Sequence, residues 1–261
     1  MSGESFVDHY RKIVVFWSPK CACTAVARWF SHGVLESNPT FSKKLPYGSR
    51  QWLNRKGYSY RYVQARLLVE EFNYFSVYFC RHPATRFVSA FLDKFVVHNG
   101  QKLCSFHQLE PFAKALVRRI YEAQKRSVDD FNGIRFSDFL CYVENKILGS
   151  SNFVPLNHHW DTQLPRNVSN HFNVDFLVHQ ESFADDIRKL NEKLHIDYVP
   201  KKENATTFHD AQVSEEYLID LYSVDMAKSN LKLGERNFLS SDVIKRLKQI
   251  YVIDYAYFGY D

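Results

Sequence analysis

Apolar residues follow two different spacings along this chain. Nearly continuous apolar runs at residues 13–17, 75–80 and 174–179 predict buried strands, since a strand covered on both faces has no polar side. Stretches in which apolar residues recur every three or four positions predict helices at 24–36, 61–72, 85–98, 107–126, 137–147, 182–194, 214–227 and 240–252. Loops are expected up to about residue 60 after the first helix, at 149–172 and at 196–212.

The order of these elements predicts the fold class. Strands that alternate with helices, at separations long enough for crossover connections, favour an α/β fold with a central parallel sheet flanked by helices. No internal repeat, low-complexity tract or Gly/Ser-rich linker divides the sequence. We therefore expect a single domain over residues 1–261.

Composition and charge narrow the class of protein further. The 261 residues are 45% apolar and 16% aromatic, enough to form a sizeable core and to argue against disorder. A net charge of +5 favours anionic ligands but is too small to indicate DNA binding. The sequence contains no run of about 18 apolar residues, so it predicts no membrane span. Five irregularly spaced cysteines suit a reducing compartment with free thiols, and Cys21-x-Cys23 lacks the spacing of a zinc site.

The loop that follows the first strand carries the clearest chemical signal. The apolar run breaks at Ser18 and meets a lysine and then small residues before a helical pattern begins; the loop consists of Pro19, Lys20, Cys21, Ala22, Cys23 and Thr24. A strand, a tight loop and a helix N-terminus can wrap backbone N–H groups around a phosphate, which indicates a phosphorylated nucleotide. The loop has no glycine, and its lysine precedes the small residues, unlike the ATPase form. An ordinary turn between strand and helix is the alternative.

A second basic segment follows the strand at 75–80. Arg81 stands where the strand stops, at the sheet edge where open α/β folds bind ligands, and Ser89 is expected in the second turn of the next helix. A guanidinium and a hydroxyl placed in this way can hold a second phosphate. Arg86 is instead expected to be a surface or intradomain ion-pair residue. Two anion sites on neighbouring strands indicate a nucleotide with two well-separated phosphate groups.

These two segments resemble the donor-binding motifs of the sulfotransferases that use 3′-phosphoadenosine 5′-phosphosulfate (PAPS). Residues 19–24 resemble their 5′-phosphosulfate loop, and residues 81–91 resemble their 3′-phosphate segment. Segments 157–160, 179–183 and 254–261 also agree, in family order. The resemblance is to the carbohydrate group that includes the chondroitin and dermatan 4-O-sulfotransferases, and it implies the P-loop-containing sulfotransferase fold.

The resemblance implies a role for each donor-site residue. Lys20 neutralises the bridging oxygen as the sulfonyl group leaves, and Thr24 holds the 5′-phosphate together with the backbone N–H groups of residues 21–24. Arg81 and Ser89 hold the 3′-phosphate, which ATP lacks. PAPS is then the donor, 3′,5′-bisphosphoadenosine (PAP) is the product, and no metal is expected because a sulfonyl group carries less charge than a phosphoryl group.

A hydroxyl acceptor needs a general base, for which histidine is well suited. His159 matches the family's His-Trp pair and is the candidate base, while the adjacent His158 remains an alternative. Trp160 is expected to pack in the interior or to stack on a sugar rather than to take part in the chemistry.

Two departures from the family pattern change the expected setting. His82 stands where the family usually has an aspartate, and residues 161–166 lack the cysteine pair that forms a disulfide in the Golgi enzymes. The missing cysteine pair leads us to expect a soluble, cytoplasmic, bacterial enzyme, unless an N-terminal anchor precedes this sequence.

The acceptor is expected near the basic segment 43–66. Between residues 40 and 66 there are seven Lys/Arg residues and no Asp or Glu, interleaved with aromatic residues: Lys43, Lys44, Arg50, Arg55, Lys56, Arg61 and Arg66, with Tyr47, Trp52, Tyr58, Tyr60 and Tyr62. Such a segment can be a solvated face or can hold an anionic or sugar-like acceptor. A carbohydrate acceptor is favoured over a small metabolite sulfated at O or N. A nucleotide-dependent kinase and an anion- or RNA-binding module are competing hypotheses, although no nucleic-acid partner is expected; the oligomeric state is left open.

Overall fold

The computed structural model describes residues 4–37, 49–149, 155–166, 172–200, 212–229 and 231–261. The strands are β1 (Glu4–Asp8), β2 (Ile13–Trp17), β3 (Ser59–Arg61), β4 (Phe75–Cys80), β5 (Val97–His98), β6 (Gln101–Lys102), β7 (Phe176–His179), β8 (Gln212–Val213) and β9 (Leu231–Lys232). The α-helices are α1 (Cys23–Arg28), α2 (Arg50–Arg55), α3 (Tyr62–Phe72), α4 (Pro83–Phe91), α5 (Pro111–Ala123), α6 (Phe136–Ile147), α7 (Phe183–Leu194), α8 (Ser223–Lys228), α9 (Ser241–Ile250) and α10 (Val252–Phe258).

The chain divides into two compact units. The sheet unit consists of residues 1–82, 161–203 and 253–261. The helical unit consists of residues 83–160 and 204–252. The expectation of a single domain stays a prediction.

A five-stranded sheet in the order β3-β1-β2-β4-β7 forms the centre of the sheet unit. Strands β2 and β4 are parallel neighbours, with Trp17 opposite Phe79, and β4 pairs in parallel with β7. This confirms the expected α/β class and the three predicted strands, the last of which begins at Phe176 rather than at residue 174. The sheet is mixed rather than wholly parallel, because β1 and β3 add antiparallel strands at one edge.

The two faces of the sheet bury alternate residues of the same strand. Val15 and Trp17 of β2 join a cluster with α1 and α7, while Val14 and Phe16 join a second cluster with α3 and α10. All five residues of β2 are buried. A strand covered on both sides reads as a continuous apolar run, which is why the sequence predicted this strand correctly.

Two of the predicted helices change their hydrogen-bonding pattern before they end. Helix α1 passes into a π-helical segment at Trp29–Leu35, within the predicted helix 24–36. Helix α4 begins at Pro83 and passes into a π-helical segment at Leu92–Val96, after which β5 begins. Compared with the structure, the predicted helix 85–98 begins two residues too late and ends two residues too late.

The helical unit is built around aromatic side chains. Phe87 of α4 stacks on Phe139 of α6 with ring centroids 4.5 Å apart, and Phe91 packs edge-on against Phe136 at 5.2 Å. The predicted helix 107–126 begins only at Pro111, where proline suits the first turn. The predicted helix 214–227 is reduced to α8, because the backbone of Leu218 donates to Asn237 rather than within a helix. Among the described residues, no helix combines the length and apolar character needed to cross a membrane.

Iodoacetamide applied to the folded protein is expected to modify Cys141 and to spare Cys21 and Cys80. Cys141 is exposed, whereas the other two thiols are buried. Burial also raises the pKa of the Cys80 thiol, so that little reactive thiolate is present. Peptide mass spectrometry after a short pulse at about pH 8 measures the order of modification. A denatured sample, in which every cysteine reacts, is the control; rapid labelling of Cys80 in the folded protein would contradict the expectation.

Candidate active site

The loop after β2 has an unusual backbone. Lys20 and Ala22 both adopt left-handed conformations, with φ of 71° and 57°. Between them, the Cys21 N–H donates to the Ser18 carbonyl oxygen at 3.2 Å and closes a tight turn. Left-handed positions of this kind occur where backbone N–H groups form an anion-binding concavity, and non-glycine residues adopt them only where the surroundings hold them.

The first turn of α1 adds N–H groups beyond the loop. The first backbone hydrogen bond of the helix runs from Val26 N–H to the Ala22 carbonyl oxygen at 3.0 Å. The N–H groups of residues 23–25 therefore precede the helical ladder, at the end where the helix dipole favours an anion. Thr24 and Lys20 are half-buried. The N–H groups of residues 21–24 were expected to bind the 5′-phosphate. The Cys21 N–H instead donates within the loop, which leaves the N–H groups of residues 22–24 for this role.

Arg81 follows the last residue of β4 and lies beside this loop. Its Nη1 donates to the Lys20 carbonyl oxygen at 3.3 Å. Because β2 and β4 are parallel neighbours, the loop and the arginine extend from the same edge of the sheet. The structure thus brings together Lys20 and Arg81, two cationic residues 61 positions apart in the chain.

A buried glutamine joins the same two segments, and the sequence did not predict it. The Gln163 Oε1 accepts from the Arg81 N–H at 2.9 Å and from the Cys21 thiol at 3.0 Å. Its Nε2 donates to the Arg81 carbonyl oxygen at 2.8 Å. A polar residue between Thr162 and Leu164 carries no signal of this role in the sequence alone.

His82 is held by a carboxylate from the segment after β7. The His82 N–H donates to Glu181 Oε1 at 2.9 Å, and the Tyr260 hydroxyl donates to Glu181 Oε2 at 3.0 Å. Burial, with the adjoining Cys80 and Glu181, raises the pKa of Tyr260, which keeps this phenol a donor. The imidazole of His82 packs edge-on against the rings of Tyr255 and Tyr260.

In the helical unit, Arg86 supports the backbone of the histidine pair. Arg86 is only 1% exposed, which rules out the surface position that was one of its two expected settings, while an intradomain ion pair stays a prediction. Helix α4 is buried on most of its sides, since seven of its nine residues are buried, Arg86 among them. Its Nη2 donates to the His158 carbonyl oxygen at 2.7 Å. Ser89 lies in the second turn of the same helix, as predicted, and is half-buried.

The orientation and tautomer of His159 are defined by Asn157. The Asn157 Oδ1 accepts from the His159 N–H at 3.0 Å and is 2.6 Å from the His159 Nδ1. A backbone N–H can only donate, so this atom of Asn157 is its oxygen, and Nδ1 carries the proton in the neutral ring. The Nε2 atom then carries the lone pair. Phe112 stacks on the imidazole with ring centroids 5.1 Å apart and an angle of 11° between the planes.

Trp160 is a packing residue, as one of the two sequence interpretations expected. It is 2% exposed and contacts the rings of Phe95, Phe112 and Phe139. The Tyr251 hydroxyl donates to its carbonyl oxygen at 2.7 Å. A buried indole does not offer a face to a sugar ring.

The model of the sulfotransferase family matches residues 4–261. The chain belongs to the sulfotransferase family. Carbohydrate sulfotransferase 9 of Homo sapiens is 23% identical over 262 residues, which cover 98% of this chain and 52% of the relative. The chain thus spans about half the length of this curated relative. No solved structure matches this sulfotransferase-family chain.

Family membership favours sulfonyl transfer over the kinase and RNA-binding hypotheses. The relative is a human protein, so the comparisons lend no support to a bacterial source. Within the part of the chain that the structure describes, no group of three or more His, Cys, Asp or Glu side chains is arranged to hold a metal ion. The expectation of a metal-free reaction stays a prediction.

The basic segment 43–66 is described only from residue 49 onward, so Lys43, Lys44 and Tyr47 lie outside the described residues. Arg66 pairs with Glu70 through two contacts of 2.7 and 2.8 Å, whereas four other cations of the segment are exposed: Arg50, Arg55, Lys56 and Arg61. Trp52 and Tyr58 stack on each other at 6.0 Å and pack against the core. Acceptor binding by this segment stays a prediction.

Proposed function

We propose that this sulfotransferase-family chain transfers the sulfonyl group of PAPS to a hydroxyl group of a carbohydrate. The observation that carries the proposal is the pairing of Lys20 and Arg81 at one edge of the sheet, in a chain that matches the family over residues 4–261. Two cations at the ends of adjacent parallel strands suit a nucleotide with two phosphate groups.

The donor is bound by the segments that resemble the family motifs. Lys20, the Thr24 hydroxyl and the N–H groups of residues 22–24 bind the 5′-phosphosulfate. Arg81 and Ser89 bind the 3′-phosphate, a role that rests on the resemblance of segment 81–91. An arginine at this position discriminates PAP from nucleotides without a 3′-phosphate, since its fork of N–H donors matches a phosphate.

Lys20 and the loop stabilise the leaving group. As the acceptor oxygen forms its bond to sulfur, the bond between sulfur and the phosphate oxygen breaks, and negative charge develops on that oxygen. A fixed ammonium and fixed N–H groups stabilise this charge more in the transition state than in the ground state. The left-handed backbone at Lys20 and Ala22 is consistent with donors that are oriented before the reaction begins.

His159 accepts the proton of the acceptor hydroxyl on Nε2. The support for this role is the family's His-Trp pair together with the Asn157 contact, which keeps the proton on Nδ1. His158 contributes its carbonyl oxygen to Arg86, so its backbone has a structural role whatever its ring does. A neutral imidazole with a defined lone pair is the form that a general base requires.

A carbohydrate acceptor is supported by the similarity to the human relative, which is a carbohydrate sulfotransferase. The exposed cations Arg50, Arg55, Lys56 and Arg61 suit an acidic glycan, which would contact them electrostatically. Transfer of labelled sulfonate to acidic and neutral glycans, small alcohols, phenols and amines identifies the acceptor class. Labelling of small amines or phenols in preference to every glycan would contradict the carbohydrate assignment.

PAP is expected to raise the melting temperature of the protein more than ATP with magnesium does. A ligand at about 100 times its Kd stabilises the folded state by about 2.7 kcal/mol, which is roughly 5 to 10 °C for a chain of this size. Differential scanning fluorimetry with matched ligand concentrations measures the difference. The Arg188→Ala variant, which loses an exposed cation of α7, is the control and is expected to retain the full PAP response. A response to ATP and magnesium without one to PAP would favour a kinase instead.

A further inference from the structure

Gln163 is buried, and both its backbone N–H and its carbonyl oxygen are hydrogen-bonded. Its N–H donates to the two carboxylate oxygens of Asp254 at 3.0 and 2.8 Å, and its carbonyl oxygen accepts from the Tyr78 hydroxyl at 2.7 Å. Gln163 and Asp254 are both 0% exposed. These hydrogen bonds leave the backbone that carries the Gln163 side chain little freedom to move.

The side-chain amide reproduces the pairing that a neighbouring strand would provide. Strand β4 pairs with its neighbours only as far as Cys80, so Arg81 lies beyond the sheet ladder. Through Oε1 and Nε2, Gln163 pairs with both the N–H and the carbonyl oxygen of Arg81. Since the backbone N–H donates and the carbonyl accepts, the two ends of the amide cannot be exchanged.

The same amide oxygen also reaches the phosphate loop. The Cys21 thiol, 142 residues away in the chain, donates to Oε1 at 3.0 Å. Cys21 is 1% exposed and immediately follows Lys20. One side chain thus contacts the loop that carries Lys20 and the strand end that carries Arg81.

We propose that Gln163 is a positioning residue that sets the separation of the two phosphate-binding segments. The inference rests on the proposed function, because it concerns the binding of a nucleotide with two phosphate groups. Such a ligand gains affinity from both groups together only when the two sites match the distance between its phosphates. Displacement of one segment by about 1 Å reduces that joint gain strongly.

Two substitutions separate hydrogen bonding from packing. Gln163→Met keeps a similar volume but leaves the Arg81 N–H and carbonyl oxygen without this partner. Gln163→Glu keeps the acceptor, but its ionised form places a second oxygen against the Arg81 carbonyl oxygen. Protonation restores a donor at that position, and a buried carboxyl is protonated at higher pH than an exposed one.

Isothermal titration calorimetry with PAP and with adenosine 5′-phosphate tests the proposal. For Gln163→Met, PAP affinity is expected to fall about 10- to 100-fold, while adenosine 5′-phosphate, which spans only one site, loses less than about threefold. For Gln163→Glu, PAP affinity relative to the wild type is expected to be low near pH 8 and to recover as the pH falls towards about 5.5. A residue with a merely structural role would not produce this acid rescue.

Asn191→Leu is the matched control. Asn191 is another buried amide of the sheet unit: its Oδ1 accepts from Trp29 Nε1 at 2.8 Å, and its Nδ2 donates to the Tyr198 carbonyl oxygen at 2.8 Å. Asn191→Leu is expected to lower the melting temperature, because it leaves buried groups without a hydrogen-bond partner, but to keep PAP affinity within about twofold. An equal loss of PAP affinity in this control would overturn the proposal.

The failure of this inference is distinguishable from the failure of the proposed function. Wild-type protein that does not bind PAP contradicts the function. Wild-type protein that binds PAP, with Gln163→Met binding it equally well, overturns the role of Gln163 alone. If Gln163→Met does not fold, the pH series of Gln163→Glu tests the proposal instead. Equally weak PAP binding near pH 8 and at about pH 5.5 contradicts the hydrogen-bonding role.

Discussion

Replacing His159 by alanine is expected to lower turnover about 100-fold or more while PAP affinity stays unchanged. The expectation follows from the proposed role of Nε2 as proton acceptor, since a positioned base contributes about 100- to 10,000-fold to a reaction of this kind. The imidazole is already oriented by Asn157 on one side and stacked on Phe112 on the other. Steady-state kinetics with labelled PAPS measure turnover, and calorimetry with PAP measures donor binding.

His158→Ala is the matched control for this variant. It removes an imidazole from the adjacent position but retains the carbonyl oxygen that accepts from Arg86. Turnover in His158→Ala is expected to remain within a few-fold of the wild type. Near-normal turnover in His159→Ala together with a large loss in His158→Ala would assign the base to His158.

The Asn157 contact offers an independent check of the same role. In Asn157→Asp, a carboxylate faces Nδ1 and stabilises the protonated imidazole, which cannot act as a base. The acid limb of the kcat profile is therefore expected to move to higher pH in this variant. An unchanged profile would argue against His159 as the group that accepts the proton.

Replacing Arg81 by alanine is expected to weaken PAP binding by roughly 2–4 kcal/mol, the order observed when one partner of a buried charged pair is removed. This corresponds to a loss of affinity of about 30- to 1,000-fold. The reason is that the 3′-phosphate loses a guanidinium, while the pairing between Lys20 and Arg81 at the sheet edge is also removed. Calorimetry with PAP measures the effect.

Comparison of PAP with adenosine 5′-phosphate separates the two contributions of Arg81, which are its contact with the 3′-phosphate and its contact with the loop at Lys20. Adenosine 5′-phosphate lacks the 3′-phosphate, so its affinity is expected to change much less in Arg81→Ala. Arg81→Lys keeps the charge but loses the planar fork, and is expected to lie between the wild type and alanine. Arg188→Ala, which removes an exposed cation of the sheet unit, is the control for net charge. Equal losses for PAP and adenosine 5′-phosphate would contradict the assignment of Arg81 to the 3′-phosphate.

The elements that the sequence predicted best are those with a strong local pattern. Strands β2 and β4 match the predicted bounds because their apolar runs are buried on both faces. Strands β1 and β3 were not predicted. The first is bounded by Glu4 and Asp8, and the second is three residues long with a polar composition, so their pairing depends on the sheet rather than on their own pattern.

The predicted helix boundaries are wrong where the segment contacts residues that are distant in the sequence. The amphipathic pattern at 214–227 favoured one helix, but only Ser223–Lys228 is helical. Arg135 forms a β-bridge with Tyr222, just before α8 begins. Helix α10 was not predicted, although Tyr255 and Phe258 of this helix are buried. In each case, tertiary contacts outweigh the intrinsic preference of a short segment.

By itself, the sequence determined the strand–loop–helix segment, the cations at the two strand ends and the order of the family motifs. These features depend on neighbouring residues, and local patterns of apolar and polar positions encode them directly. Only the tertiary structure decided that Gln163 joins Cys21 to Arg81, that Arg86 is buried and that Arg86 donates to the His158 carbonyl oxygen. A buried polar group must find a partner, and the available partner is determined by which segments pack beside it.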